Sequence, residues 1–305
     1  MYKTIILAAG LLLSGAAMAQ PNLVHQADSL KKAGDLVSAY QCYRLLHRQH
    51  PEQPQHAYAL AQIAALMYSP AAADSGFYYL EKALSQDTTV QALMDPELYY
   101  LSTDARWAAL EQRQVAKYEV AHGPLPLPEF ASALWAMIRR DQALRYFQRP
   151  MERQIRQGNP IPVVLYPLTY FGVQVRAQNL PELERLIAEY GWPRNSDFPD
   201  QTAHVATLII NHSDHPTRKR YLPMMEEAMA QGEIDPLRYA QVKDRVLLDN
   251  GRRQWYGTQQ TLKRDGSLWP EPIKQPRQVD ERRAAIGLGP LAPYLKDRFG
   301  IDWRP

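Results

Sequence analysis

QADSLKKAGDLVSAYQCYRLLHRQHPEQ, residues 26–53, decides the fold. Ala27 and Ala39 are small residues that let two paired helices approach closely, and Tyr43 adds apolar surface to the second of them. Gly34 sits where the first helix must end, and Pro51 where the second must stop. The pattern predicts an antiparallel helical pair. A weaker copy follows, with Ala61 and Ala64 in one helix and Tyr79, Leu80 and Ala83 in the next, joined through SPAAADSG (69–76) read as a lengthened turn. Two pairs are too few to bury a continuous core, since roughly three are needed. The helices around Pro96 to Tyr118, or a second domain, are expected to supply the cap.

The spacing of Ala27, Gly34, Ala39, Tyr43 and Pro51 resembles a tetratricopeptide repeat. The resemblance implies that residues 20–122 form a helical domain that binds a protein or peptide partner. Tyr40, Tyr58 and Tyr78 are the aromatic residues expected to line its groove.

Upstream, Lys3 is the only charge before the apolar run Ile5–Leu13, which leads to Ala17-Met18-Ala19. A basic start, a short apolar stretch and an Ala-x-Ala end predict a secretory signal peptide over residues 1–19, hence a periplasmic or extracellular bacterial protein. The run falls short of the ~20 residues that a membrane-spanning helix needs. Cys42 is the single cysteine, so no internal disulfide can form. The net charge of +3 on 305 residues gives no basic footprint for nucleic acid.

Downstream, Gly123-Pro124-Leu125-Pro126-Leu127-Pro128 reads as an extended linker, which places a second domain at residues 129–305. Apolar periodicity predicts one long helix over 129–157, closed by Gly158-Asn159-Pro160. Further helices are predicted over 180–190 and 200–212, then from Pro216, and from Pro236 with Asp235 as its N-cap and Asn250-Gly251 at its end. Asp265-Gly266 predicts the turn of a small β-hairpin. A proline-rich tail should wrap the surface around one short helix near 279–286. The fold class is therefore mainly α, with one small hairpin.

No phosphate-binding loop, nucleophile elbow, His-Glu-x-x-His helix or Cys-x-x-Cys pair occurs. Three weaker constellations remain. Asp141, with Gln142 and Arg145, falls on an apolar stripe, where Arg145 one turn later can pair with it. His204 and His212 flank an otherwise apolar helix, with Asp214 just beyond it. These three could hold a metal or form an acid/base pair, or else serve as core and capping residues; no metal or other cofactor is assigned. Asp244 again interrupts an apolar stripe, with Arg245 beside it. Two inward aspartates and two inward histidines point either to a shared polar interior or to an internal ion-pair network.

QVKDRVLLDNGRRQWYGTQ (241–259), PEPI (270–273) and VDERRAAIGLGPL (279–291) resemble a bacterial domain family of unknown function marked by a Tyr-Gly-Thr-Gln segment. The likeness extends back through NHSDH (211–215), Gly191-Trp192-Pro193 and the Asp141 helix, so that it covers about 130–295. Positions matching the family's polar motifs are Asp141, Gln142, Arg145, His204, His212, Asp214, Asp244, Arg245, Gln254, Tyr256, Thr258, Gln259, Asp280, Arg282 and Arg283, of which Asp141, Gln142, Arg145, Asp244, Gln254, Tyr256, Thr258, Gln259, Arg282 and Arg283 are the expected ligand contacts. On a strand, Tyr256 and Thr258 would share one face while Gly257 admits a ligand or another backbone; a glycine bulge is the alternative.

Two function classes follow. The first is an exported binding or scaffold protein that uses its repeat helices for a partner. The second is a hydrolase or lyase in which His204 or His212 is the base, Asp214 orients it, and Arg245 with Gln259 stabilises an anionic intermediate. In the second case His204, His212, Arg245 and Tyr256 should surround one open cleft.

Overall fold

The structure is a computed structural model that describes residues 20–156, 158–263 and 267–304. The signal-peptide segment 1–19 and the Asp265-Gly266 turn lie outside the described residues. Among the described residues the chain is mainly α with one two-stranded antiparallel sheet, the expected fold class. It divides into two compact units, the first ending at Ser85 and the second beginning at Gln86.

The first unit contains α1 (Gln20–Ala33), α2 (Leu36–Gln49), α3 (Pro54–Leu66) and α4 (Pro70–Ala83), each packed on the next. Gly34 leaves α1 at φ +88°, a conformation that costs a residue without Cβ least. The Asp35 carboxylate then caps α2 by accepting from the Ser38 amide at 3.0 Å. Ala27 and Ala39 are fully buried, and Leu23, Tyr43, Leu46, Leu60 and Ile63 close around them. SPAAADSG is not a turn. Pro70 opens α4, because its fixed φ suits the first helical position, and the alanines that follow propagate the helix.

The second unit starts with short 3-10 turns at Gln91–Met94 and Pro96–Leu98, followed by α5 (Tyr99–Ser102) and α6 (Arg106–His122). Then come α7 (Pro128–Gln142), α8 (Arg145–Arg156), α9 (Leu165–Tyr190), α10 (His204–His212), α11 (His215–Ala230) and α12 (Pro236–Asp249). Strands β1 (Gln260–Leu262) and β2 (Leu268–Pro270) pair with Thr261 opposite Trp269, and α13 (Val279–Ala284) and α14 (Leu291–Phe299) finish the chain. Phe130, Leu134, Trp135 and Met137 of α7 are wholly buried. At the centre lies α10, which touches α7, α9, α11 and α12.

Several boundaries differ from the sequence reading. Residues 86–122 belong to the second unit, not the first. The reason is visible at Gln114, a buried side chain whose amide donates to the carbonyls of Asp87 (2.9 Å) and Thr89 (2.7 Å). Arg139 of α7 reaches back as well, donating to the Leu93 carbonyl and stacking 4.7 Å above the Trp107 ring. The proline-rich stretch 123–128 is accordingly no spacer. Leu125 is buried, and its amide donates to Glu119, so the stretch is a fixed turn between α6 and α7.

The long helix over 129–157 is two helices, α7 and α8, parted at residues 143–144. The helix expected over 180–190 starts much earlier, at Leu165, and runs through Pro181. The helix expected over 200–212 begins at His204, since Asp200 and Gln201 both have positive φ. Asp235 caps α12 as predicted, accepting from the Arg238 amide at 2.7 Å. In the tail, α14 is an additional helix; it buries Leu291 and Leu295 against Ile273 and Val279.

Candidate functional site

Asp244 organises the region that carries the Tyr-Gly-Thr-Gln segment. It is completely buried on α12. Its Oδ1 accepts from the amides of Trp255 (2.6 Å) and Tyr256 (2.9 Å), and its Oδ2 from the amide and hydroxyl of Thr258 (both 2.9 Å). Burial pushes this carboxyl above its ordinary range, against the pull of those hydrogen bonds. Residues 255–258 therefore form a loop wrapped around one carboxylate, not a strand. At its apex Gly257 has φ +78°, and a Cβ there would lie 2.6 Å from Leu291 Cδ2. The glycine serves close packing, which fits the bulge alternative better than a ligand contact.

The neighbouring polar side chains complete this scaffold. Gln254 is wholly buried; it donates to the carbonyls of Gln259 (3.1 Å) and Glu271 (2.6 Å) and accepts from the Gln259 amide (2.9 Å). Arg282 donates to the Trp255 carbonyl at 2.9 Å, and Arg283 donates to those of Tyr256 (2.9 Å) and Gly289 (2.7 Å). Asp280 accepts from the Leu291 amide at 2.8 Å. Tyr256 is buried against Tyr239, and that burial pushes its phenol up to about 12. Expected as ligand contacts, Asp244, Gln254, Tyr256, Thr258 and Arg283 are instead buried groups that hold the loop to its support.

A second group of residues is only partly buried and joins four elements. At the end of α7, the Asp141 carboxylate faces His212 Nδ1 at 2.9 Å, and Gln142 donates to the same carboxylate. His212 closes α10, with 29% of its side chain open to solvent. Next to it, the carbonyl of Asn211 accepts from Arg245 Nη1 at 2.9 Å. Arg245 Nη2 lies 3.4 Å from Gln259 Oε1, and the Gln259 amide group donates to the Gln241 carbonyl at 3.1 Å. One polar chain thus runs from α7 through α10 and α12 to the loop.

Arg245 has no carboxylate at ion-pair distance among the described residues. Burial pushes its guanidinium pKa down, as does the nearby Arg218, while Asp249 opposes them. Asp249 itself is taken by Arg218 at 2.7 Å. Asn211 Oδ1 and His215 Nε2 are buried and find no partner among the described residues. Such orphaned atoms call for an explanation, a ligand or water being the usual one.

The other predicted residues lie elsewhere. His204 is at the opposite end of α10, eight residues from His212 and so roughly 12 Å along the axis at 1.5 Å per residue. Burial pushes its imidazole down, with Asp235 and Arg238 as its charged neighbours. Asp214 does not orient His212; it caps α11 through the Thr217 amide at 2.9 Å, and the Thr217 hydrogen bonds hold its carboxyl low. Arg145 does not pair with Asp141 but meets Glu152 at 3.4 Å on α8. Neither the four-residue cleft of His204, His212, Arg245 and Tyr256 nor a His204/His212/Asp214 metal site is assembled. Among the described residues no group of three or more His, Cys, Asp or Glu side chains could hold a metal ion.

Sequence reasoning missed Asn211, which supplies its carbonyl to Arg245, and Arg218, which keeps Asp249 away from it. It also missed an open groove of about 600 Å³ lined by Lys243, Leu247, Arg252, Arg253, Trp255 and Lys274. Only the Arg252-Arg253 pair beside Trp255 hinted at it.

Residues 128–302 match the family of unknown function designated DUF6624. The chain belongs to this family. No curated protein and no solved structure gave a match. Every predicted site residue falls inside the DUF6624 segment, as do both the Asp244 scaffold and the Asp141–His212–Arg245–Gln259 chain. Helices α1–α4 lie outside it.

Proposed function

We propose that this chain is an exported binding protein whose DUF6624 domain captures a small anionic ligand, a carboxylate or a phosphate ester, against Arg245. One observation carries the reading: Arg245 is half-buried, and both of its hydrogen bonds go to neutral oxygens. A cation withdrawn from water without a counter-charge is costly, by several kcal/mol per ion when fully buried. A ligand anion would supply the missing charge, and a guanidinium fork matches carboxylate and phosphate oxygens two at a time. The buried Asp244 anchor supports the reading too, because it fixes the loop that delivers Gln259.

The test is calorimetric titration of the full chain with a panel of small organic acids and phosphate esters. At least one should bind, and Arg245→Gln should weaken it by about tenfold or more while the protein stays folded. If no anion binds, or if the variant binds equally well, the proposal is wrong.

A hydrolase or lyase is the second reading, favoured by the contact between Asp141 and His212 Nδ1. A carboxylate there fixes the tautomer and leaves Nε2, which has no hydrogen bond among the described residues, free to take a proton. Asp141 assumes the orienting role first given to Asp214. In this reading His212→Gln abolishes turnover of a bound anion and leaves its affinity nearly intact.

For the first unit, the tetratricopeptide-like spacing supports a role in holding a protein or peptide partner. Tyr78 is 55% exposed on α4, whereas Tyr40 is partly covered by Tyr79. Tyr78→Ala should therefore weaken partner capture more than Tyr40→Ala does.

A further inference from the structure

Residues 145–176, between α7 and the second half of α9, carry a surface that the anion site does not use. Ile161, Val163, Val164, Tyr166, Tyr170 and Val173 are each between 46% and 81% exposed. Single exposed apolar side chains are ordinary, but six within thirteen consecutive residues are not. On α9, Tyr166, Tyr170 and Val173 stand at i, i+4 and i+7 and form one stripe. Val175, Asn179, Leu183 and Leu186 are buried on the opposite side. Past Arg176 the helix turns charged residues outward, Glu182, Glu184, Arg185 and Glu189 among them. Only the first half of α9 is therefore apolar toward the outside.

The preceding helix adds charge. On α8, Arg145 and Arg149 stand one turn apart and both are exposed, with Phe147, Met151 and Ile155 on the other side. Arg149 and Arg176 are exposed. Over 145–176 the sequence holds five arginines and a single acid, Glu152. Two copies meeting through this surface would bring ten arginines together against two glutamates, an arrangement that opposes self-association. An anionic lipid surface answers both halves of the pattern. Aromatic and branched side chains enter the headgroup boundary, and arginines keep their charge at the phosphates. No helix among the described residues is long and apolar enough to cross a membrane, so the contact would be peripheral.

We propose that residues 145–156 and 158–176 form a membrane-surface anchor, which inserts Val163, Val164, Tyr166, Tyr170 and Val173 into an anionic phospholipid interface with Arg149 and Arg176 against the headgroups. Co-sedimentation of the full chain with vesicles tests it, using phosphatidylglycerol mixed with phosphatidylcholine in one arm and phosphatidylcholine alone in the other. Binding should be about tenfold or more stronger to the anionic vesicles and should weaken as salt is raised. Val163→Asp with Tyr170→Asp should abolish binding to both vesicles. Arg149→Glu with Arg176→Glu should remove only the preference for anionic lipid. All four positions are exposed, so circular dichroism should stay unchanged. Should a variant lose helicity, protection of the unaltered chain from trypsin at Arg176 by anionic vesicles decides instead. The proposal is overturned if neither vesicle binds, if both bind equally, or if Val163→Asp with Tyr170→Asp abolishes a concentration-dependent dimer in a chain that ignores vesicles.

Discussion

Replacing Asp244 by asparagine should destabilise the second unit far more than a change of one atom suggests. The carboxylate accepts from three backbone amides and one hydroxyl, two donors on each oxygen. A protonated carboxyl can still accept on both oxygens; an amide nitrogen cannot. Asparagine, with its oxygen kept on the Trp255 and Tyr256 amides, leaves the Thr258 amide facing another donor, while the Thr258 hydroxyl can turn to accept. A buried donor left unsatisfied costs about 1–3 kcal/mol, so Asp244→Asn should cost about 1–3 kcal/mol. Asp244→Ala strands all three amides and should cost more, enough to threaten a domain whose whole stability is about 5–15 kcal/mol. Urea unfolding of the wild type and the asparagine variant measures the difference, with an unchanged slope confirming that the same transition is compared. A loss below about 1 kcal/mol would refute the reasoning, because it would mean that the loop does not depend on the carboxylate.

Three other perturbations separate structure from site. Gly257→Ala forces a side chain into φ +78° and against Leu291, so thermal unfolding should show a loss of about 1–3 kcal/mol; a neutral result would contradict the close packing at this glycine. Asp214→Ala removes a helix cap and should lower the unfolding midpoint in the same assay while leaving anion affinity unchanged; lost affinity would return Asp214 to the site. Burial pushes the imidazoles of His47 and His56 below the ordinary 6.5. The folded first unit thus prefers them neutral, which gives stability that is present above pH 6.5 and lost as pH falls through their folded values. Denaturation midpoints should drop across that window, and His56→Gln should flatten the drop; an unchanged slope would show that His56 does not contribute.

How much was legible in the sequence depends on the range of the interaction. Helix starts at Pro236 and at Asp214-His215-Pro216, and the stop at Gly34, are local matters of capping and backbone freedom, and they could be read directly. The inward aspartates could also be recognised as unusual from their place on apolar stripes. Their partners could not. Asp141 turns to His212, 71 residues away, and not to Arg145 in the next turn, because the helix breaks between them. Asp244 turns to backbone amides, which carry no sequence signal at all. The same blindness set the domain boundary too late, since Gln114 and Arg139 tie α6 and α7 to the residues just after Ser85 through carbonyls that any residue could offer.

The anion-binding claim is tested most directly by soaking a crystal of the protein in selenate and locating the ion by anomalous scattering. The account predicts a selenium peak against the Arg245 guanidinium, within reach of Gln259 and His212. Peaks confined to exposed cations such as Arg252, with nothing at Arg245, would contradict it.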